Sequence, residues 1–167
     1  MIENPIITFD VDWAPDFILQ KVFHILEDSN VKSTWFVTHD SPIIRRLQKN
    51  SLFEVGLHPN FAPSSTQGDS SEEILRNLKK IVPKAKSIRT HDLLQSSSIL
   101  SKFQKFGIEN DVSLLLEFTS NLNPHFSKYF NLFRFPFFWE DDVFMSNKSK
   151  WAIDEPKFNP KGMKIFN

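Results

Sequence analysis

Asp10 and Asp12 close an apolar run, Pro5–Asp12, with a single residue between them. Alternate side chains of an extended strand face the same way, so the two carboxylates should share one face, with Phe9 and Val11 on the other. Spaced ~7 Å apart along such a strand, they repel unless a cation or a shared proton intervenes. A divalent ion on one acid, with the other acting as general base, would use that arrangement. Two solvated acids at a strand end are the plain alternative. His58 ends another apolar run, Phe53–His58, directly before Pro59 and Asn60. An imidazole at a strand exit is a candidate metal ligand, although a lone one is more often structural. On the run Ser87–Leu93, Arg89 and His91 share a face by the same alternation. Arg89 could hold Asp10 ionised, because a nearby guanidinium lowers a carboxyl pKa. His91 could be a third ligand or a proton shuttle, and a surface Arg with a core His is the bland reading.

The elements that must position these groups alternate between strand-like and helix-like stretches, the pattern of an α/β fold with a mostly parallel sheet or barrel. Strands are expected at Pro5–Asp12, Ser33–Thr38, Phe53–His58, Ser87–Leu93, Glu109–Leu116 and Leu132–Trp139. Helices are expected after Pro15, from Pro42 with Ser41 as N-cap to Lys49, after Ser70 with Glu73 completing a capping box, and from Ser97 to Phe106. Gly107 suits the residue just past that last helix. Pro59–Asp69 reads as a long loop, and Asn147–Lys164 has little periodicity. Lys164-Ile165-Phe166-Asn167 resembles the opening of a further strand. In parallel α/β folds ligands sit at the carboxyl ends of strands, which is where these polar residues fall.

The 167 residues fit one domain. Twenty Lys and Arg balance twenty Asp and Glu, so charge gives no grip on nucleic acid or an anionic membrane. The absence of cysteine removes disulfides, thiolate metal sites and cysteine nucleophiles together. No signal peptide and no membrane-length apolar segment is visible, which points to a cytoplasmic protein. Trp139-Glu140-Asp141-Asp142 follows an aromatic run. Trp139 could wall a sugar pocket, and an acid such as Asp141 could pair with Arg89. Glu140 reads as part of a solvated acidic turn.

Taken in order, Thr8-Phe9-Asp10-Val11-Asp12, Ser33-Thr34-Trp35-Phe36-Val37-Thr38, Glu54-Val55-Gly56-Leu57-His58, Arg89 and the stretch around Trp139 resemble the polysaccharide deacetylase (NodB homology) family, carbohydrate esterase family four. The resemblance implies a distorted or incomplete (β/α) barrel and metal-assisted removal of an N-acetyl group from a sugar or polysaccharide. It implies Asp10 as the base, Asp12 and His58 as ligands of a divalent ion, zinc first, and Arg89 as the residue that orients Asp10. The family's second histidine is replaced by Ala62, so Asn60 is taken as the third metal ligand and His91 as a catalytic group, with the two open to exchange. No histidine follows His125, which leaves the proton donor unassigned, and the end at Asn167 reads as truncated relative to the family. Two other functions stay open. One is a glycan-binding protein that kept the fold and lost the chemistry. The other is a haloacid-dehalogenase-like phosphatase, with Asp10, Asp12, Thr38 and Asp141-Asp142 in its motif positions.

Overall fold

The computed structural model describes residues 4–146 and 156–167; residues 147–155, half of the stretch without periodicity, lie outside them. Among the described residues, eight strands form one sheet: β1 (Pro5–Asp10), β2 (Ser33–Val37), β3 (Phe53–Leu57), β4 (Ser87–Ile88), β5 (Asn110–Asp111), β6 (His125–Ser127), β7 (Leu132–Arg134) and β8 (Lys164–Phe166). Their order is β6-β7-β5-β4-β3-β2-β1-β8. Every pairing is parallel except β6 with β7. Helices α1 (Asp16–Asp28), α2 (Pro42–Leu47), α3 (Ser71–Ile81) and α4 (Ser97–Phe103) supply the crossovers that parallel neighbours require. A short α5 (Asp141–Ser146) follows the last aromatic run.

Capping chemistry sets the helix starts. The hydroxyls of Ser41, Ser70 and Ser96 accept from the N–H groups of Ile44, Glu73 and Ile99, three residues on in each case. The Glu73 carboxylate accepts from Asp69 N–H at 3.0 Å, so the reciprocal arm of the expected capping box reaches one residue further back. Gly107, left-handed at φ 69, stops the α4 segment after a 3-10 turn.

The sheet curls into a distorted barrel. Beyond β7 the chain bridges Leu115 through Phe137 on one side and Phe166 of β8 through Trp139 on the other. The two ends of the sheet therefore meet by isolated residue pairs, and a continuous ladder is missing there. Strands expected at Ser87–Leu93, Glu109–Leu116 and Leu132–Trp139 shrink to two or three paired residues each. Beyond these pairs the runs continue as less regular backbone, still held by hydrogen bonds such as Arg89 N–H to Leu57 O, Leu116 N–H to Phe137 O and Phe138 N–H to Ile165 O.

Two apolar clusters flank the barrel wall. One joins Leu19, Phe23, Trp35, Leu57, Leu75 and Phe103 between the first four helices and the sheet. The other gathers Phe36, Phe137, Phe138, Trp139, Phe144 and Phe158 around the closure. Each fully buried side chain of this kind contributes roughly 1.5–3 kcal/mol. Gly56 on β3 lets the wall tighten, since a Cβ there would stand 2.8 Å from the Phe36 ring and from the Ser87 carbonyl. That ring is one of two that enclose Arg89.

Candidate metal centre

β1 ends at Asp10, and Asp12 lies beyond it in a turn where Asp12 and Trp13 both have left-handed backbones, φ 42 and 57. Strand alternation therefore does not place Asp12. The turn does, held by Ala14 N–H on Val11 O at 2.8 Å and Trp13 N–H on Thr38 Oγ1 at 3.1 Å. His58 follows β3, and its ring is buried. His91 follows the short β4 in a 3-10 turn rather than on a strand.

These turns bring three donor atoms together. Asp12 Oδ1 lies 3.2 Å from His58 Nε2 and 3.0 Å from His91 Nδ1, and the two nitrogens are 3.3 Å apart. Tetrahedral zinc with nitrogen and oxygen ligands at about 2.0–2.1 Å has donor–donor edges of about 3.3 Å. His58 Nδ1 lies 2.9 Å from the Arg89 carbonyl, a bond it can only donate, so the neutral ring carries its lone pair on Nε2. The same bond fixes the ring's orientation, as a carbonyl behind a metal-ligating histidine does. The His58 contact holds the Asp12 carboxyl below the usual range, with the charges of His58 and His91 adding and burial opposing. That contact is favourable when the imidazole carries a proton and sets lone pair against lone pair when it does not. A shared proton relieves two edges of the triangle; a cation relieves all three. Asp12, His58 and His91 thus fit a divalent ion, and zinc suits the mixed nitrogen and oxygen set.

Beside the triangle, Arg89 is fully buried. Its guanidinium donates to Asp10 Oδ1 at 3.2 Å, Thr8 Oγ1 at 2.9 Å, the Val112 carbonyl at 3.1 Å and Asn167 Oδ1. The rings of Phe36 and Phe137 lie 4.7 and 4.4 Å from its Cζ. Burial pulls the guanidinium pKa down and Asp10 opposes that pull. The second Asp10 oxygen accepts from Asn167 Nδ2 at 2.9 Å. Both carboxylate oxygens are thus held by donors, one of them charged.

Three expected site residues fall elsewhere. Asn60 is not in the donor triangle: its oxygen accepts from Ala62 N–H at 2.9 Å, as in an Asx turn, and its N–H donates to Gln67 Oε1. His91 occupies the third corner instead. Trp139 is 7% exposed and packs against Phe144, Phe158 and Phe166, so it is a core residue and walls no open pocket. Asp141 lies exposed in the first turn of α5 and accepts from Asp142 N–H at 2.8 Å, while Asp10 pairs with Arg89. Thr38, needed by the phosphatase alternative, takes part in the turn that holds Trp13.

Two neighbours of the site went unread in the sequence. Trp13 is 39% exposed and meets His91 edge-on, ring centroids 5.4 Å apart. A cleft of about 290 Å³ beside it is lined also by Thr38, His39, Asp40, Thr66 and Gln67. An aromatic residue directly after an acidic strand end was the available signal. Asn167 is the other, and its position at a strand exit is the signal it shares with Asp10 and His58. At the opposite ends of the strands a smaller cavity, about 140 Å³, is lined by Thr34, Glu54, Ser87 and Asn110. Those groups bond one another, Thr34 and Ser87 to Glu54 and Asn110 to Ser87, so they need no ligand.

Residues 7–167 match the sequence profile of the family described as WbmS-like polysaccharide deacetylase. The chain belongs to that family. A Bordetella bronchiseptica protein described as a polysaccharide deacetylase involved in O-antigen biosynthesis (WbmS) shares 31% identity and superposes with a TM-score of 0.87, over 98% of this chain and 71% of that one. A polysaccharide-deacetylase-like structure from Mycobacterium smegmatis, 13% identical, has a TM-score of 0.60 over 97% of this chain and 75% of its own. A CE4 family pseudoenzyme from Bacillus anthracis, 12% identical, has a TM-score of 0.52 over 98% of this chain and 54% of its own. The last two speak to the fold alone. No curated protein matches the chain. Family membership removes the ground for a phosphatase. Among the described residues, no helix of this WbmS-like family member is long and apolar enough to cross a membrane.

Proposed function

We propose that this deacetylase removes an N-acetyl group from a sugar of a polysaccharide or its precursor, with a divalent ion, zinc first, bound by Asp12, His58 and His91. The observation that carries the reading is the donor triangle standing beside the Arg89–Asp10 pair. When bound, the ion would polarise the acetyl carbonyl and make water a better nucleophile at neutral pH. The chain's own groups do the rest. Asp10, held on one oxygen by Arg89 and on the other by Asn167, accepts the proton of the attacking water. His58 keeps its ligand nitrogen free by donating its other N–H to the Arg89 carbonyl. Trp13 offers an exposed apolar surface at the edge of the site, suited to the face of a sugar ring.

Acetate release from N-acetylated amino-sugar oligosaccharides, followed by proton NMR, tests the proposal. Release is expected with zinc added and should cease with a chelator. Sugar binding without acetate release in the presence of zinc, cobalt or nickel would replace it with the glycan-binding alternative. Trp13→Ala should raise KM about tenfold, the loss of roughly 1.4 kcal/mol of stacking and apolar contact, with kcat within about twofold. An unchanged KM would remove Trp13 from the sugar site.

A further inference from the structure

Breaking an amide C–N bond takes a proton given as well as a proton taken, and Asp10 accounts only for the second. Glu140 stands where the first could come from. The N–H groups of Phe138 and Trp139 both point at the Ile165 carbonyl, at 2.8 and 3.3 Å. Two residues set against one make a bulge, which resets the alternation of side chains along the strand. Before the bulge, Phe137 faces the barrel interior and lies on the Arg89 guanidinium. After it, Trp139 turns outward onto Phe144 and Phe158, and the reset alternation assigns the next position, Glu140, to the inner side. The Trp139 carbonyl accepts from Asn167 N–H at 3.0 Å, so Glu140 leaves the strand beside the residue whose side chain spans Asp10 and Arg89.

We infer that Glu140 is the group that protonates the departing nitrogen, an inference that rests on the deacetylase reading of the site. Water adds to the acetyl carbon and passes its proton to Asp10. The C–N bond then breaks as the Glu140 carboxyl gives its proton to nitrogen. Acetate and free amine leave, and proton exchange with solvent returns Asp10 to the anion and Glu140 to the acid. The charged groups around Glu140 are Asp10 on β1, Arg89 beyond β4, and Asp141 and Asp142 on α5. Burial, then Asp142 and Asp10, push its carboxyl up to about 7, with Arg89 opposing. Such an acid keeps its proton near neutrality, as a donor there requires.

The test compares two acetyl substrates on the zinc-loaded protein. An N-acetylated amino sugar must have its leaving nitrogen protonated, whereas 4-nitrophenyl acetate releases a stable phenolate. Glu140→Gln should cut kcat on the amide by roughly 10²–10⁴-fold while the aryl ester rate stays within about threefold of wild type. The alkaline limb of the wild-type amide profile, near pH 7, should also disappear. Parallel losses on both substrates, or an unaffected amide rate, overturn the inference and leave the deacetylase reading standing. A wild-type protein inert to both substrates overturns the two together. The sign of the stability effect is fixed as well. An acid with a raised folded-state pKa binds more protons folded than unfolded, so its presence costs stability as pH rises from about 4.5 to 7. Glu140→Gln should therefore melt no lower than wild type at pH 8, and a lowered Tm there overturns the inference by making Glu140 structural.

Discussion

A His58→Ala chain is expected to lose zinc binding and acetate release together, each by roughly 10³-fold or more, because two donors cannot hold the ion that activates water and carbonyl. His58 is the corner of the triangle most firmly fixed in place. Its ring is buried, its Nδ1 is tied to the Arg89 carbonyl, and its Nε2 faces both Asp12 and His91. Calorimetric titration with zinc reads the affinity directly. Thermal melting gives an independent measure, since an ion at 100 times its Kd adds about 2.7 kcal/mol to a protein that binds it only when folded. Wild type should show that upward shift in Tm, and His58→Ala should not. Asn60→Ala serves as the discriminating control. If Asn60 held the ion in place of His91, its loss would weaken binding as severely; on the observed geometry zinc affinity should stay within about threefold. An Asn60 effect as large as the His58 effect would put the third ligand at the wrong residue.

The second large effect falls on stability. Arg89→Met should cost about 3–5 kcal/mol, the range for breaking a buried ion pair from one side. Methionine fills much of the slot between Phe36 and Phe137, so the cost comes chiefly from the abandoned acceptors. Asp10 loses its charged donor, while Thr8 and the Val112 carbonyl lose theirs. Urea unfolding monitored by fluorescence would measure the change, with activity expected to vanish in parallel. A loss under about 1 kcal/mol would show that the guanidinium's contacts are offset by its desolvation, and that Arg89 serves catalysis without supporting the fold. Arg89→Lys should recover little of either property, because an ammonium cannot donate in four directions from a plane between two rings.

Much of the site was legible because parallel strands deliver side chains to one rim, and Asp10, His58 and Arg89 each stand at or just past a strand end. The argument by alternation worked less well. It placed Asp10 with Asp12 and Arg89 with His91 as strand neighbours, whereas Asp12 and His91 sit in turns whose left-handed and 3-10 geometry no period-two pattern encodes. Between Asn60 and His91 the sequence left the third donor open; the one that joins Asp12 and His58 arrives from a different crossover. Trp139 misled for a related reason, since a bulge invisible in the sequence turns it outward. Among the elements, β6 and α5, three and six residues long, were not read from the sequence. The strand β8 was legible as an opening run, and its pairing with β1 was not.

Asp12 and Trp13 are consecutive residues with side chains in a backbone region that glycine, asparagine and aspartate enter most easily and that costs a residue such as Trp13 roughly 1–2 kcal/mol. A chain tuned for durability alone would have little reason to keep an acid and an indole there. Their presence makes this corner a local sacrifice of robustness, one that sets a carboxylate against two imidazoles and leaves a bare ring at the rim, reached from a hairpin-tight bend that a relaxed loop would straighten.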